Sequence, residues 1–171
     1  MNNGPEPIAV VTTGGTIDKI YFDALSTFKV GEPAVARLLH IAHVAHPFRV
    51  DELLRKDSLE LTDEDRRRLC EHVAALASTR VIVTHGTDTM TESAKALASV
   101  QGKTIVLTGA LAPARFHESD ASFNLGMAFA AVQTLPPGVY IAMSGQVFRG
   151  DQVRKDREIG RFVAADRSEG E

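Results

Sequence analysis

The sequence predicts an α/β protein: a single three-layer domain in which a mostly parallel sheet is flanked by helices. Three observations predict it. Apolar runs alternate with helical patterns from one end of the chain to the other. The runs are nearly continuous in Val, Ile and Leu, as strands are when helices cover both faces of a parallel sheet. And 171 residues at 44% hydrophobic composition suffice for one well-filled core but are few for two.

The elements follow in order. "IAVVTT", beginning at Ile8, is the first strand, and "EPAVARLLHIA" the first helix. "TDEDRRRLCEHVAALAS" is a further helix, with Thr62 as N-cap, Asp65 three residues on, and Leu69, Val73, Leu76 and Ala77 as an apolar stripe. "RVIVTH" and "KTIVLTGAL" are strands separated by the helix "TESAKALASV", and "SFNLGMAFAAVQTL" is a helix leading to the strand "GVYIAMSG". Beyond Arg149, "GDQVRKDREIGRF" suits a short strand pair. The expected single domain covers 1–171, with residues 1–7 and about 164–171 flexible.

Composition narrows the functional classes. Nineteen basic residues against 22 acidic ones give a formal charge of −3, so no broad cationic field is available for a nucleic acid. No apolar run approaches the roughly 20 residues that span a bilayer, and "MNNGPEPIAVV" lacks the basic and apolar regions of a secretory signal. The single cysteine, Cys70, lies in a helical pattern and has no internal partner for a disulfide. A cytoplasmic protein, acting on neither nucleic acid nor membrane, is expected.

The first strand runs into Gly14 and Gly15, which permit a backbone turn that residues with a Cβ resist, and then Thr16. In an open α/β sheet, ligands bind beyond the carboxyl ends of the strands. Three polar loops are expected at that edge: "TTGGT" (12–16), "THGTDT" (84–89) and "TGALAPARFHESD" (108–120). None has the spacing of a dinucleotide or P-loop fingerprint, because Lys19 lies four residues past Gly15 and is not followed by Ser or Thr. The histidines at 40, 43, 46, 72, 85 and 117 form no H-E-x-x-H, so no metal is expected, and His85 is read as holding loop geometry. No G-x-S-x-G elbow occurs. What remains is hydroxyls and carboxylates: Thr16, Thr87 and Asp88 at adjacent strand ends. Lys103 heads the strand "KTIVLTG", where it either snorkels to solvent or reaches inward as a base.

"TTGGTID", "VTHGTDTMTESAKAL" and "KTIVLTGALAPARFHESDASFNLGMA" together resemble the amino-terminal domain of the bacterial-type L-asparaginase family, over about Ile8 to Phe148. The resemblance implies hydrolysis of the side-chain amide of L-asparagine through an acyl-threonine ester, without a cofactor. It implies Thr16 as nucleophile, Thr87 and Asp88 with Lys103 as a second triad, and Ser58 in "KDSLELT" as a ligand of the substrate carboxylate. Asp88 would accept the substrate ammonium, and backbone N–H groups of the loops, at Gly15 and Gly86, would complete the site. Glutamine or another small amide, and a silent amino-acid-binding module, are the competing readings.

Two departures from the family's pattern stand out. The family's smaller carboxyl-terminal domain, which supplies an acidic group to a neighbour's site, has no counterpart in the sequence given: either another subunit presents a different acid, such as Glu158, or the site stays more open and binds substrate weakly, and a homo-oligomer is expected because the lone domain would leave apolar surface exposed. The segment "TIDKIYFDALSTF" is short, and Tyr21, five residues after Thr16, either takes the family's catalytic tyrosine role or packs with its apolar neighbours. Leu59 also stands where some relatives carry a polar residue.

Overall fold

A computed structural model describes residues 4–22 and 26–165; of the ends expected to be flexible, 1–7 and about 164–171, residues 1–3 and 166–171 lie outside them. The chain runs β1 (Ile8–Gly14), β2 (Lys19–Phe22), β3 (Thr27–Val30), α1 (Val35–Ile41), β4 (Phe48–Lys56), α2 (Asp63–Ala75), β5 (Arg80–Thr84) and α3 (Met90–Leu97). It continues through β6 (Thr104–Thr108), α4 (Ala121–Thr134), β7 (Gly138–Met143), β8 (Gln146–Arg149), β9 (Val153–Asp156) and β10 (Arg161–Ala164). Two 3-10 turns, Thr16–Asp18 and Ser58–Glu60, follow the ends of β1 and β4.

The main sheet has the order β4-β1-β5-β6-β7-β8, with every neighbouring pair parallel except β7 and β8. This is the three-layer α/β architecture the sequence predicts. Alternation along the strands sorts their side chains into two cores. Ile8, Val10, Ile82, Val106 and Ala142 meet Val35 and Leu39 of α1 and Leu125, Phe129 and Val132 of α4 on one face. Ala9, Val11, Val83, Leu107 and Ile141 meet Leu69 and Val73 of α2 and Met90 and Leu97 of α3 on the other. Both faces are therefore dry, which is why these strands read as unbroken apolar runs.

The start of α2 forms as its sequence dictates. Thr62 Oγ1 accepts from the Asp65 N–H and Asp65 Oδ2 accepts from the Thr62 N–H, a reciprocal capping box. Lys56 Nζ donates to the same carboxylate at 2.8 Å, and these donors hold Asp65 down to about 2. The stripe is shorter than expected, because α2 ends at Ala75 and Ala77 is exposed.

Two elements escape a reading by periodicity. β4 is an edge strand whose charged residues alternate irregularly with half-buried Phe48, Val50 and Leu53, so no apolar run announces it. The segment after Thr16, expected as a short loop, folds into the separate hairpin β2–β3, pairing Lys19 with Val30 and Tyr21 with Phe28. The strand pair expected near the carboxyl end is present as β9–β10, with Val153 and Phe162 packed into the second core. Near the amino end, Glu6 accepts from the Thr79 hydroxyl at 2.7 Å, and Ser78 donates to the Pro7 carbonyl.

Candidate active site

From β1 the chain crosses to β4 on one side and then returns to β5 on the other, so strand order reverses at β1. In such sheets the crevice outside the carboxyl ends of the strands at the switch point is where ligands bind. Thr16 and the 84–89 loop stand at that point.

Gly14 and Gly15 make the first turn possible. Their φ angles are 101° and 90°, and a Cβ on Gly14 would lie 2.5 Å from the Lys56 carbonyl oxygen. The Gly15 N–H donates to that same oxygen at 2.9 Å, pinning the turn to the end of β4. A Cβ on Gly15 would lie 2.4 Å from the Cα of Gly86, and a Cβ on Gly86 would lie 2.5 Å from the Cβ of Ser58. Three segments from distant parts of the chain thus meet where the two glycines leave room. Thr16 follows Gly15 and Thr87 follows Gly86, so both threonines stand on adjoining turns.

Ser58 is buried at the head of its 3-10 turn, which Asp57 caps by accepting from the Leu59 N–H. The Thr89 hydroxyl donates to the Ser58 carbonyl at 2.8 Å, lacing this turn to the second loop. Lys19 pairs with Asp57 at 2.7 Å, and Leu59 projects into solvent. The third loop joins as well: the Ala114 N–H donates to the Ile17 carbonyl, and Asp120 accepts from the N–H groups of Leu111 and Ala112.

His85 holds the second loop from within the core, at 0% exposure. Its Nδ1 lies 2.7 Å from the Gly86 carbonyl, which can only accept, so Nδ1 carries the proton and Nε2 accepts from the Ser93 hydroxyl at 2.7 Å. Burial lowers its pKa to about 4. It is a neutral structural strut, as its place in the sequence suggests.

The lysine of the site is not the one expected. Lys103 stands before β6, and its Nζ donates to the carbonyls of Leu76 and Ser78 at 2.6 and 2.8 Å, tying down the segment that leaves α2. At roughly 3.3 Å per residue, β6 puts about 15 Å between Lys103 and the loop beyond Thr108, more than a lysine side chain spans. Lys103 therefore lies at the opposite edge of the sheet. Its place is taken by Lys155 of β9, whose Nζ donates to Thr87 Oγ1 at 2.7 Å and to Asp88 Oδ1 at 2.9 Å. Arg157 adds a longer approach to Asp88 at 3.9 Å. Lys155 lies 67 positions from Asp88 in sequence, and its only local signal is a polar residue in a short strand after Val153.

Two further candidates are placed more loosely. Tyr21 is 52% exposed on the hairpin and packs edge-on against Phe28, which in turn meets Phe116 of the third loop. That places its ring at the rim of the crevice, among the aromatic residues of the hairpin and third loop. Glu158 is exposed in the β9–β10 turn, three residues beyond Lys155. Among the described residues, no group of His, Cys, Asp and Glu is arranged to hold a metal ion, and no helix is long and apolar enough to cross a membrane.

Fold and site together define an α/β domain that gathers threonine hydroxyls, a carboxylate and a lysine at its topological switch point. The family model described as asparaginase, N-terminal, matches residues 7–161, and the chain belongs to that family. A glutaminase-asparaginase of Pseudomonas fluorescens biotype A is 28% identical over 163 residues, 86% of this chain and 45% of the relative. An L-asparaginase of Thermococcus kodakarensis is 32% identical over 83 residues, 47% of this chain and 25% of the relative. The crystal structure of a probable cytoplasmic L-asparaginase from Campylobacter jejuni superposes with a TM-score of 0.81 at 27% identity, covering 95% of this chain and 54% of that one. The chain spans about half the length of such relatives.

Proposed function

We propose that this domain hydrolyses the side-chain amide of L-asparagine to aspartate and ammonia through an acyl-threonine intermediate. The observation that carries the reading is the Lys155 ammonium bridging Thr87 and Asp88 beside the turn that presents Thr16.

A threonine hydroxyl is a weak nucleophile and must lose its proton as it attacks. Lys155 passes a proton to the Asp88 carboxylate and takes the Thr87 hydroxyl proton in its place, so Thr87 Oγ1 can accept the proton of Thr16, and the relay later returns one proton to the leaving nitrogen. Thr16 Oγ1 adds to the amide carbon, the C–N bond breaks as the leaving nitrogen is protonated to ammonia, and water activated by the same relay cleaves the ester. Backbone N–H groups of the turns are the candidate donors to the oxyanion. Asp88 Oδ2, the oxygen not facing Lys155, would accept the substrate ammonium, and Ser58 Oγ would donate to its carboxylate.

Glutamine is the second substrate reading, favoured by a relative named for both activities. Assembly of several copies, with Glu158 or another acid presented to a neighbour's crevice, belongs to the same proposal.

The test is steady-state ammonia release from L-asparagine and L-glutamine by the intact chain, with Thr16→Ala, Lys155→Met and Lys103→Met alongside. Turnover of asparagine that falls by two or more orders of magnitude in the first two variants and persists in the third supports the reading. Binding of either amino acid without turnover would make the domain an amino-acid-binding module instead.

A further inference from the structure

Asp18 ends the 3-10 turn that carries Thr16, and it is 2% exposed. Three hydrogen bonds converge on it. Its N–H donates to the Gly15 carbonyl at 3.1 Å, closing the turn around Thr16; its carbonyl accepts from the Gly31 N–H at 2.8 Å; and its Oδ1 accepts from the Ala34 N–H at 2.8 Å, at the N-terminus of α1. The second carboxyl oxygen, Oδ2, is buried with no hydrogen-bond partner among the described residues. The residue is thus the post that fastens the turn to the 31–34 segment, and half of its carboxyl is uncompensated.

The charged groups facing it do not supply the missing bond. Glu52 of β4 repels a charge at Asp18, while Arg55 of β4 and Arg115 of the third loop attract it, all without hydrogen-bond contact. Arg55 is already engaged bidentately by Glu52. Lys19, the next residue, is turned to Asp57, and Arg37 of α1 to the Ala114 carbonyl. An ionised Asp18 would keep a strong bond to the Ala34 N–H but hold its charge in a dry setting.

We propose that Asp18 is a positioning residue for Thr16: its neutral carboxyl seats the Thr16 turn against residues 31–34, and ionisation loosens that seat. The inference rests on the reading of Thr16 as the nucleophile, but the seating itself is independent of turnover. Burial, the largest influence, raises the carboxyl from 3.8 to about 6, so the seat is firmest below about 4 and is progressively released as pH rises through about 6.

Amide hydrogen exchange of Asp18, Gly31 and Ala34, corrected for intrinsic rates and followed from pH 4.5 to 7.5, reads the seat directly. In the wild type, protection at these three amides should fall by about tenfold or more across that range. In Asp18→Asn, which keeps the acceptor and cannot ionise, protection should stay flat and exceed the wild type at pH 7.5. Asp18→Ala, lacking the bond to Ala34, should be weakly protected at every pH. Flat protection in the wild type, or a pH dependence that survives in Asp18→Asn, would overturn the proposal. In ammonia release, the ratio of wild-type to Asp18→Asn kcat should fall as pH rises through about 6 while the KM ratio stays near one; a kcat ratio that does not move with pH also overturns it. A wild type inert towards both amides while the exchange pattern holds removes the proposed function and leaves the seat standing.

Discussion

Gly15 and Gly86 meet backbone to backbone, so closely that a Cβ on the first would lie 2.4 Å from the Cα and the N of the second. This approach is what sets the Thr16 turn beside the Thr87 loop. Gly15→Ala would combine a φ of 90° with a clash against main chain that cannot rotate away. Ammonia release should drop to background and the chain should lose about 2 kcal/mol or more of stability by chemical denaturation. Gly102→Ala is the control: its φ is 75° but nothing lies within 4 Å, so about 1 kcal/mol and no activity should be lost.

The two lysines should separate stability from chemistry. Lys103→Met leaves the carbonyls of Leu76 and Ser78 without their donor and should cost about 1–3 kcal/mol in denaturant titration while kcat per folded molecule is kept. Lys155→Met should do the reverse, with near wild-type stability and kcat down by two or more orders of magnitude. Equal losses of kcat in both variants would contradict the placement of either.

Acid should unfold the domain partly through Asp65. Its carboxyl is held at about 2 against an ordinary 3.8, so its contribution is complete above about 4 and is lost as pH falls through about 2. Asp65→Asn should lower the stability by about 2 kcal/mol at pH 7 and flatten the dependence below pH 4. An unchanged acid limb would show that the Lys56 and Thr62 contacts contribute little in solution.

His85 gives a second, separable limb. Its pKa lies at about 4 in the fold and near 6.5 when exposed, so stability from the neutral ring is full above 6.5 and declines as pH falls towards 4. His85→Gln should weaken the slope between pH 6.5 and 4 by about one proton, measured as Tm against pH.

How far the sequence carried can be judged at particular residues. The second and third loops were legible because each joins an unbroken apolar run to a helical pattern, the first because a pair of glycines ends such a run, and the Thr62–Asp65 box because its two partners are three residues apart. β4 was not, since an edge strand exposes much of its surface and needs no apolar run. Lys155 was not, because what makes it part of the site is a contact spanning 68 residues, from a short strand with no motif of its own. Lys103 misled although its place was legible: it heads its strand, at the amino end, away from the carboxyl edge where the crevice lies.

The fastening of the Thr16 turn has a kinetic meaning. Its hydrogen bonds run from Gly15 to Lys56, from Asp18 to Gly15 and from Ala114 to Ile17, all main chain to main chain and none dependent on a bound amino acid. The loss of conformational freedom that such a turn requires is therefore met when the domain folds. An arriving ligand has little of this turn left to order, so association at this edge should be governed by encounter and by water leaving the crevice, with no slow rearrangement of the backbone around Thr16.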